Sequence, residues 1–118
     1  MSQHEKIDYL EFPAKDLAKT KLFFSSVFSW SFTDYGPDYI AFSNAGILGG
    51  FYKSDLSSST ESGSVLTVFY SNDLAKTQSK IEQAGGLIIQ AIFSFPGGRR
   101  FHFSDPNGNE YAVWSEDD

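Results

Sequence analysis

Apolar and polar side chains along this chain follow two periods, and the periods alternate in a fixed order. The run Ile7-Asp8-Tyr9-Leu10-Glu11-Phe12 is dense in β-branched and aromatic residues and reads as a strand. After Asp16 the apolar positions Leu17, Phe24, Val27 and Phe28 fall at helical spacing. Three short strands are predicted next: Trp30 to Thr33, Tyr39 to Phe42 and Ile47 to Tyr52, with Tyr35-Gly36-Pro37-Asp38 as the turn between the first two. The Gly49-Gly50 pair removes two side chains from the third, which lets another backbone or a ligand approach. The order then restarts. Val65 to Tyr70 reads as a strand, and Leu74, Thr77, Ile81 and Ala84 trace a helix that Gly85-Gly86 closes. Leu87 to Phe95, Arg99 to Ser104 and Glu110 to Ser115 come next as strands, joined by Pro96-Gly97-Gly98 and by Asp105-Pro106-Asn107-Gly108. Between the halves, residues 53 to 63 hold five Ser and one Thr with almost no apolar content, the signature of a flexible joint.

A literal repeat supports the duplication. Asp16-Leu17-Ala18-Lys19-Thr20 recurs as Asp73-Leu74-Ala75-Lys76-Thr77, 57 positions later in a chain of 118 residues. Each Asp stands where a helix N-cap belongs, accepting backbone N–H groups at the positive end of the helix. The predicted fold is therefore α+β: two βαβββ repeats, residues 5–52 and 64–116, forming a cupped mixed sheet with a helix packed on each half. Half of this length is marginal alone, so residues 1–118 are expected to form one domain with a shared core.

Composition narrows the partners. Nine basic against fifteen acidic side chains give a net charge of −6, and no basic cluster tracks a face, which argues against nucleic acid. No apolar run approaches the about 18 residues of a membrane span, and Met1 to Lys6 lacks a signal-peptide hydrophobic region, so a cytoplasmic protein without a membrane partner is expected. The chain has no cysteine, which excludes thiolate nucleophiles and Cys-ligated zinc. Its twelve Phe suit a compact core, a ligand pocket, or both.

Several of these segments together resemble the vicinal oxygen chelate superfamily, which includes glyoxalase I, bleomycin resistance proteins and extradiol dioxygenases. The carriers are Glu11-Phe12-Pro13-Ala14-Lys15-Asp16-Leu17, Phe23-Phe24, Val27-Phe28-Ser29-Trp30, Asp73 with Ala84-Gly85-Gly86, and Phe103-Ser104-Asp105-Pro106-Asn107-Gly108-Asn109-Glu110. Ser29 stands where relatives commonly carry glycine. The resemblance implies paired βαβββ units, a cupped sheet and commonly a homodimer. It does not choose among isomerases, dioxygenases, thiol transferases and plain binding proteins.

The superfamily's enzymes hold a divalent metal with His, Gln or Glu from the first and last strands of the repeats. Counted seven residues before each repeated Asp, those positions hold Tyr9 and Leu66 here; on the last strands they hold Ala112 and nothing with a donor between Ile47 and Tyr52. No metal and no other cofactor is therefore expected. A displaced site from Glu11, His102 and Glu110 is the alternative, though a solvated Glu and a hydrogen-bonded strand His are the commoner fates of such residues. The same faces present Tyr9, Glu11, Leu66, Val68, Tyr70, Ala112 and Trp114, an aromatic lining suited to a small-molecule ligand. Arg100 and His102 share a strand face and either contact an anion or form a solvated edge, His102 being the one plausible catalytic imidazole together with Glu11. Three functions compete: a metal-free binding protein, with the acidic charge favouring a planar cation; a lyase or isomerase of glyoxalase type; and an interaction module whose cup only supports a dimer.

Overall fold

The computed structural model describes residues 2–116. Its elements run β1 (Tyr9–Ala14), α1 (Leu17–Phe28), β2 (Ser31–Asp34), β3 (Tyr39–Ser43), β4 (Leu48–Lys53), β5 (Thr67–Tyr70), α2 (Leu74–Gln83), β6 (Leu87–Phe95), β7 (Gly98–Ser104) and β8 (Glu110–Glu116). They form two four-stranded sheets of identical plan, ordered β1-β4-β3-β2 and β5-β8-β7-β6. In each sheet the first strand runs parallel to the last, and the remaining pairs are antiparallel. The duplicated βαβββ architecture expected from the hydrophobic pattern is what the chain adopts.

Boundaries differ where tertiary contacts overrule local pattern. β1 begins at Tyr9 and runs through Pro13 to Ala14, a course open to proline because β1 is an edge strand. β5 is shorter than expected: Val65 is 83% exposed and Leu66 precedes the ladder that begins at Thr67. The Gly49-Gly50 gap admits a backbone, as expected, since the Leu10 carbonyl of β1 crowds Gly49. The rest of it is filled by the chain's own rings, Phe42 against Gly49 and Tyr39 against Gly50.

Both repeated aspartates cap their helices, Asp16 Oδ1 accepting the Lys19 N–H at 3.0 Å and Asp73 Oδ1 the Lys76 N–H at 3.1 Å. The helix ends diverge. After α2, Gly85 takes φ 95°, and the Gly86 N–H bonds the Ile81 carbonyl. After α1 the same left-handed turn falls on Ser29 at φ 60°, ψ 30°, a conformation costly for a residue with a Cβ.

The core is shared by the halves through aromatic rings. Phe24 of α1 stacks on Trp30 with centroids 4.5 Å apart and lies 5.4 Å from Phe51 of the first sheet and 5.6 Å from Tyr111 of the second. Phe28 stacks on Phe69 at 4.4 Å, and Phe23 reaches Phe103 at 6.1 Å. One helix thus fills the space behind both sheets, which is why neither half has a core of its own.

A buried polar clasp completes the joint. In the β7–β8 turn, Asn107 Oδ1 accepts the backbone N–H groups of Lys15 at 2.9 Å and Asp16 at 3.2 Å, while its Nδ2 donates to Thr20 Oγ1 at 2.8 Å. Asn109 Nδ2 donates to the Pro13 carbonyl at 2.7 Å. Asp105 organises the turn from beneath: Oδ1 accepts the N–H groups of Asn107 and Asn109, and Oδ2 accepts the Tyr111 hydroxyl at 2.7 Å. Burial pushes the Asp105 carboxyl up from its ordinary value, and those donors oppose the shift.

The predicted flexible joint is pinned along the clasp. Ser57 Oγ donates to the Asn107 carbonyl, the Ser58 N–H to Asn109 Oδ1, and the Glu110 N–H to the Ser58 carbonyl at 2.7 Å. With little apolar content the segment has no core contact to make; its polar groups bind the turn instead.

These contacts are open to two stability measurements. Asp105→Asn turns an acceptor surrounded by donors into a part-donor, and urea unfolding should show a loss of about 2–3 kcal/mol. Ser29→Gly relieves the left-handed turn and should raise stability by about 0.5–1 kcal/mol in the same assay.

Candidate functional site

Strand alternation divides the second sheet sharply. Tyr111, Val113, Phe69, Phe101 and Phe103 face the core, whereas Glu110, Ala112 and Trp114 of β8 face the other way. On that concave face Val68 lies beside Ala112 and Tyr70 beside Trp114, with His102 and Arg100 on the opposite flank of the same two residues. The Tyr70 ring meets Trp114 edge-on at 5.2 Å, and Phe95 meets it from the other side at 6.3 Å. Tyr70 is 51% exposed and Val68 44%, large apolar groups that no part of the described chain covers fully. Val68, Phe95, Pro96, Gly97, Arg100 and Trp114 line a depression of about 410 Å³.

Phe93 and Phe95 share this face with Arg100 and His102, and an irregularity in β6 sets where along it they stand. Its register against β7 shifts twice, between Ile88 and Gln90 and again between Gln90 and Phe93. Each shift inserts one residue, so the two together leave the alternation of faces unchanged and slide β6 by two positions, pairing Phe93 with Arg100 and Phe95 with Gly98. Unshifted pairing from Ile88 puts Phe93 opposite Gly98, on the same face but two residues from Arg100; sequence reasoning left out both rings. A signal existed, since nine residues of β6 answer seven of β7.

Three polar side chains cross the face in series. Arg100 donates through Nη2 to His102 Nε2 at 2.9 Å, and His102 Nδ1 lies 2.8 Å from Glu110 Oε2. Arginine has only donors to give, so Nε2 serves as acceptor and the imidazole proton sits on Nδ1, donated to the carboxylate. Glu110 Oε1 is filled by the Thr60 N–H at 2.9 Å and hydroxyl at 2.8 Å. Burial raises the Glu110 carboxyl, but the bonds from His102 and Thr60 outweigh it and hold the group below its ordinary range. The Arg100 guanidinium lies 5.8 Å from the ring centroids of both Phe93 and Phe95.

The predicted residues of the first sheet gather separately. Tyr39 donates to Glu11 Oε2 at 2.9 Å, and its oxygen lies 2.7 Å from the Tyr9 hydroxyl. Burial, then the bonds to Tyr9 and Glu11, raise the Tyr39 hydroxyl far above the usual phenol range. Tyr39 is absent from the residues expected at the site; it occupies the space that Gly50 leaves. Leu66 lies outside the ladder and does not line the depression, and Ala112 is fully buried, a floor beneath Val68 and His102 rather than a contact surface.

The donors at the superfamily's metal positions do not fit a divalent ion. Tyr9 is engaged with Tyr39, Leu66 and Ala112 carry no donor, and β4 offers Leu48, two glycines, Phe51, Tyr52 and Lys53. The displaced set is divided between the sheets: His102 bonds Glu110 while Glu11 bonds Tyr39. Among the described residues no three of His, Cys, Asp and Glu converge in a metal-binding group.

Paired βαβββ units with a concave face define a class of cupped α+β proteins, and sequence comparison places the chain within it. A family model of the Glyoxalase/Bleomycin resistance protein/Dioxygenase superfamily matches residues 6–113, and the chain belongs to that superfamily. Among solved structures, it is similar to a glyoxalase-related enzyme from Fulvimarina pelagi, with 16% identity, TM-score 0.79, and coverage of 95% of this chain and 88% of that one. The genomically encoded fosfomycin resistance protein FosX from Listeria monocytogenes also superposes with TM-score 0.79 at 16% identity, covering 96% and 94%. A superfamily enzyme from Burkholderia phytofirmans gives 0.78 at 16% identity, covering 92% and 97%. These likenesses establish the fold. No curated protein sequence matches the chain. No helix among the described residues is long and apolar enough to cross a membrane.

Glu110 makes the site testable by pH. A carboxyl held low in the folded state contributes stability that is present above its ordinary value of 4.5 and lost as pH falls through the folded one. Between about pH 5 and pH 3, wild type should therefore lose stability faster than Glu110→Gln, measured as the difference in urea midpoints at each pH.

Proposed function

We propose that the protein binds a small organic molecule on the concave face of its second sheet, without the superfamily's metal, and works as a homodimer. The observation that carries this reading is the apolar face of exposed Val68 and Tyr70 and half-buried Phe93, Phe95 and Trp114 around one arginine. Large apolar side chains left uncovered beside a few convergent polar groups are the usual makeup of a ligand site. The lack of a donor at Leu66 and Ala112 and the engagement of Tyr9 with Tyr39 support binding without a metal. A bleomycin-resistance-like role, in which a compound is held rather than transformed, agrees with both features. The cytoplasm is the compartment that suits a cysteine-free acidic chain of this kind.

A second reading, metal-free acid–base chemistry of a lyase or isomerase, rests on His102 and its 2.8 Å contact with Glu110. An imidazole oriented by a carboxylate is a common general-base arrangement. Here its second nitrogen is held by Arg100, so proton transfer at Nε2 first requires that bond to open. Glu11, bonded to Tyr39 on the other sheet, has no part in it.

Thermal shift separates the readings. Planar organic ligands should raise the melting temperature of wild type and leave Trp114→Ala unmoved, while Mn²⁺, Ni²⁺ and Zn²⁺ produce no specific shift. A metal-induced stabilisation that disappears in Glu11→Ala contradicts the metal-free proposal. Sedimentation at micromolar concentration should give twice the chain mass.

A further inference from the structure

Resting on the binding role proposed for this face, we infer that the ligand is an organic carboxylate with a flat apolar body, held by Arg100. The acidic net charge suggests a cation, but the charged side chain that lines the depression is Arg100, which favours an anion there. Arg100 is half-buried and pairs with no carboxylate among the described residues, whose ion pairs are His4 with Glu5, Lys21 with Asp34 and His102 with Glu110.

The neighbouring acids are already committed. Glu110 lies behind the imidazole, with one oxygen filled by His102 and the other by Thr60. Glu116 receives the Tyr70 hydroxyl at the rim of the face. Arg100 spends Nε and Nη2 on one nitrogen of His102, a neutral acceptor that stands between the guanidinium and the Glu110 carboxylate. The remaining guanidinium N–H groups have no partner among the described residues.

A half-buried guanidinium with free donors favours an anionic oxygen pair, because two parallel N–H groups match the two oxygens of a carboxylate. The surrounding side chains set the rest of the molecule. Phe93 and Phe95 flank the guanidinium at 5.8 Å, and Trp114 and Val68 extend the apolar wall. A depression of about 410 Å³ accommodates a one- or two-ring body against that wall. The two register shifts of β6 are what assemble this pairing of a cation with aromatic walls.

Isothermal titration with three matched probes tests the assignment: 2-naphthoate, 2-naphthamide and 2-naphthylmethylammonium. The carboxylate should bind wild type about tenfold more tightly than the amide, the ratio expected for one charge-assisted contact. In Arg100→Gln that preference should vanish while the amide keeps its affinity. Arg100→Lys retains the charge without the fork and should keep part of it, which guards against a Gln variant that fails to fold. If the amide or the ammonium binds wild type as tightly as naphthoate, the carboxylate assignment is overturned and the concave face remains a ligand site. If none of the three binds, both fall together.

Discussion

The polar joint between the halves of this molecule depends on three buried side chains in one turn. Asn107 and Asn109 reach from the second repeat into the junction of β1 and α1 in the first, and Asp105 holds both in place. The constraint is chemical before it is geometric. The Lys15 and Asp16 N–H groups and the Pro13 carbonyl would be stranded without partners, and the Asn side chains supply one acceptor and one donor at the right points. Asp105 is needed beneath them because every neighbour presents a donor, and an ionised carboxylate is the side chain that only accepts. All three residues are almost completely buried, and none of the described buried side-chain polar atoms lacks a partner.

From this clasp a continuous line of contacts leads to the concave face. Asn109 precedes Glu110; the strap at Ser57, Ser58 and Thr60 bonds both residues and Asn107; Glu110 then orients His102, and Arg100 closes the series. The signature turn is thus more than a structural mark of the superfamily. It fixes the first residue of β8, and β8 carries Trp114 as a wall of the depression. The polar groups of this face are Arg100, His102 and Glu110, in series.

Local pattern carries much of the fold. The repeated pentapeptide locates both helix starts, because an N-cap acts within a single turn and needs no distant partner. The helical spacing of Phe24 and Val27 finds the core face of α1 for the same reason. Features made by distant contacts are out of its reach. The Ser-rich strap reads as unstructured because its partners lie some fifty residues away. Gly50 signals close approach, but nothing local says that Tyr39 is the group approaching. At the site, alternation places Val68, Tyr70 and Trp114 together. It puts Phe93 and Phe95 on that face as well, but their place beside Arg100 is set by register shifts, which belong to a pair of strands. Tyr9 and Glu11 read onto the same site by alternation, yet hydrogen bonding to Tyr39 keeps them in a cluster of their own.

The central claim is that this duplicated fold presents an organic-ligand site on the second sheet in place of a metal site between its first strands. Amide chemical-shift mapping in one sample series, with a mixture of small aromatic acids and then with Mn²⁺, tests it most directly. The account predicts saturable shifts confined to Val68, Phe93, Phe95, Arg100 and Trp114, with only diffuse surface broadening from Mn²⁺. Saturable Mn²⁺ broadening centred on Tyr9, Glu11 and Ala112, with no response at Arg100 or Trp114 to the acids, would contradict it.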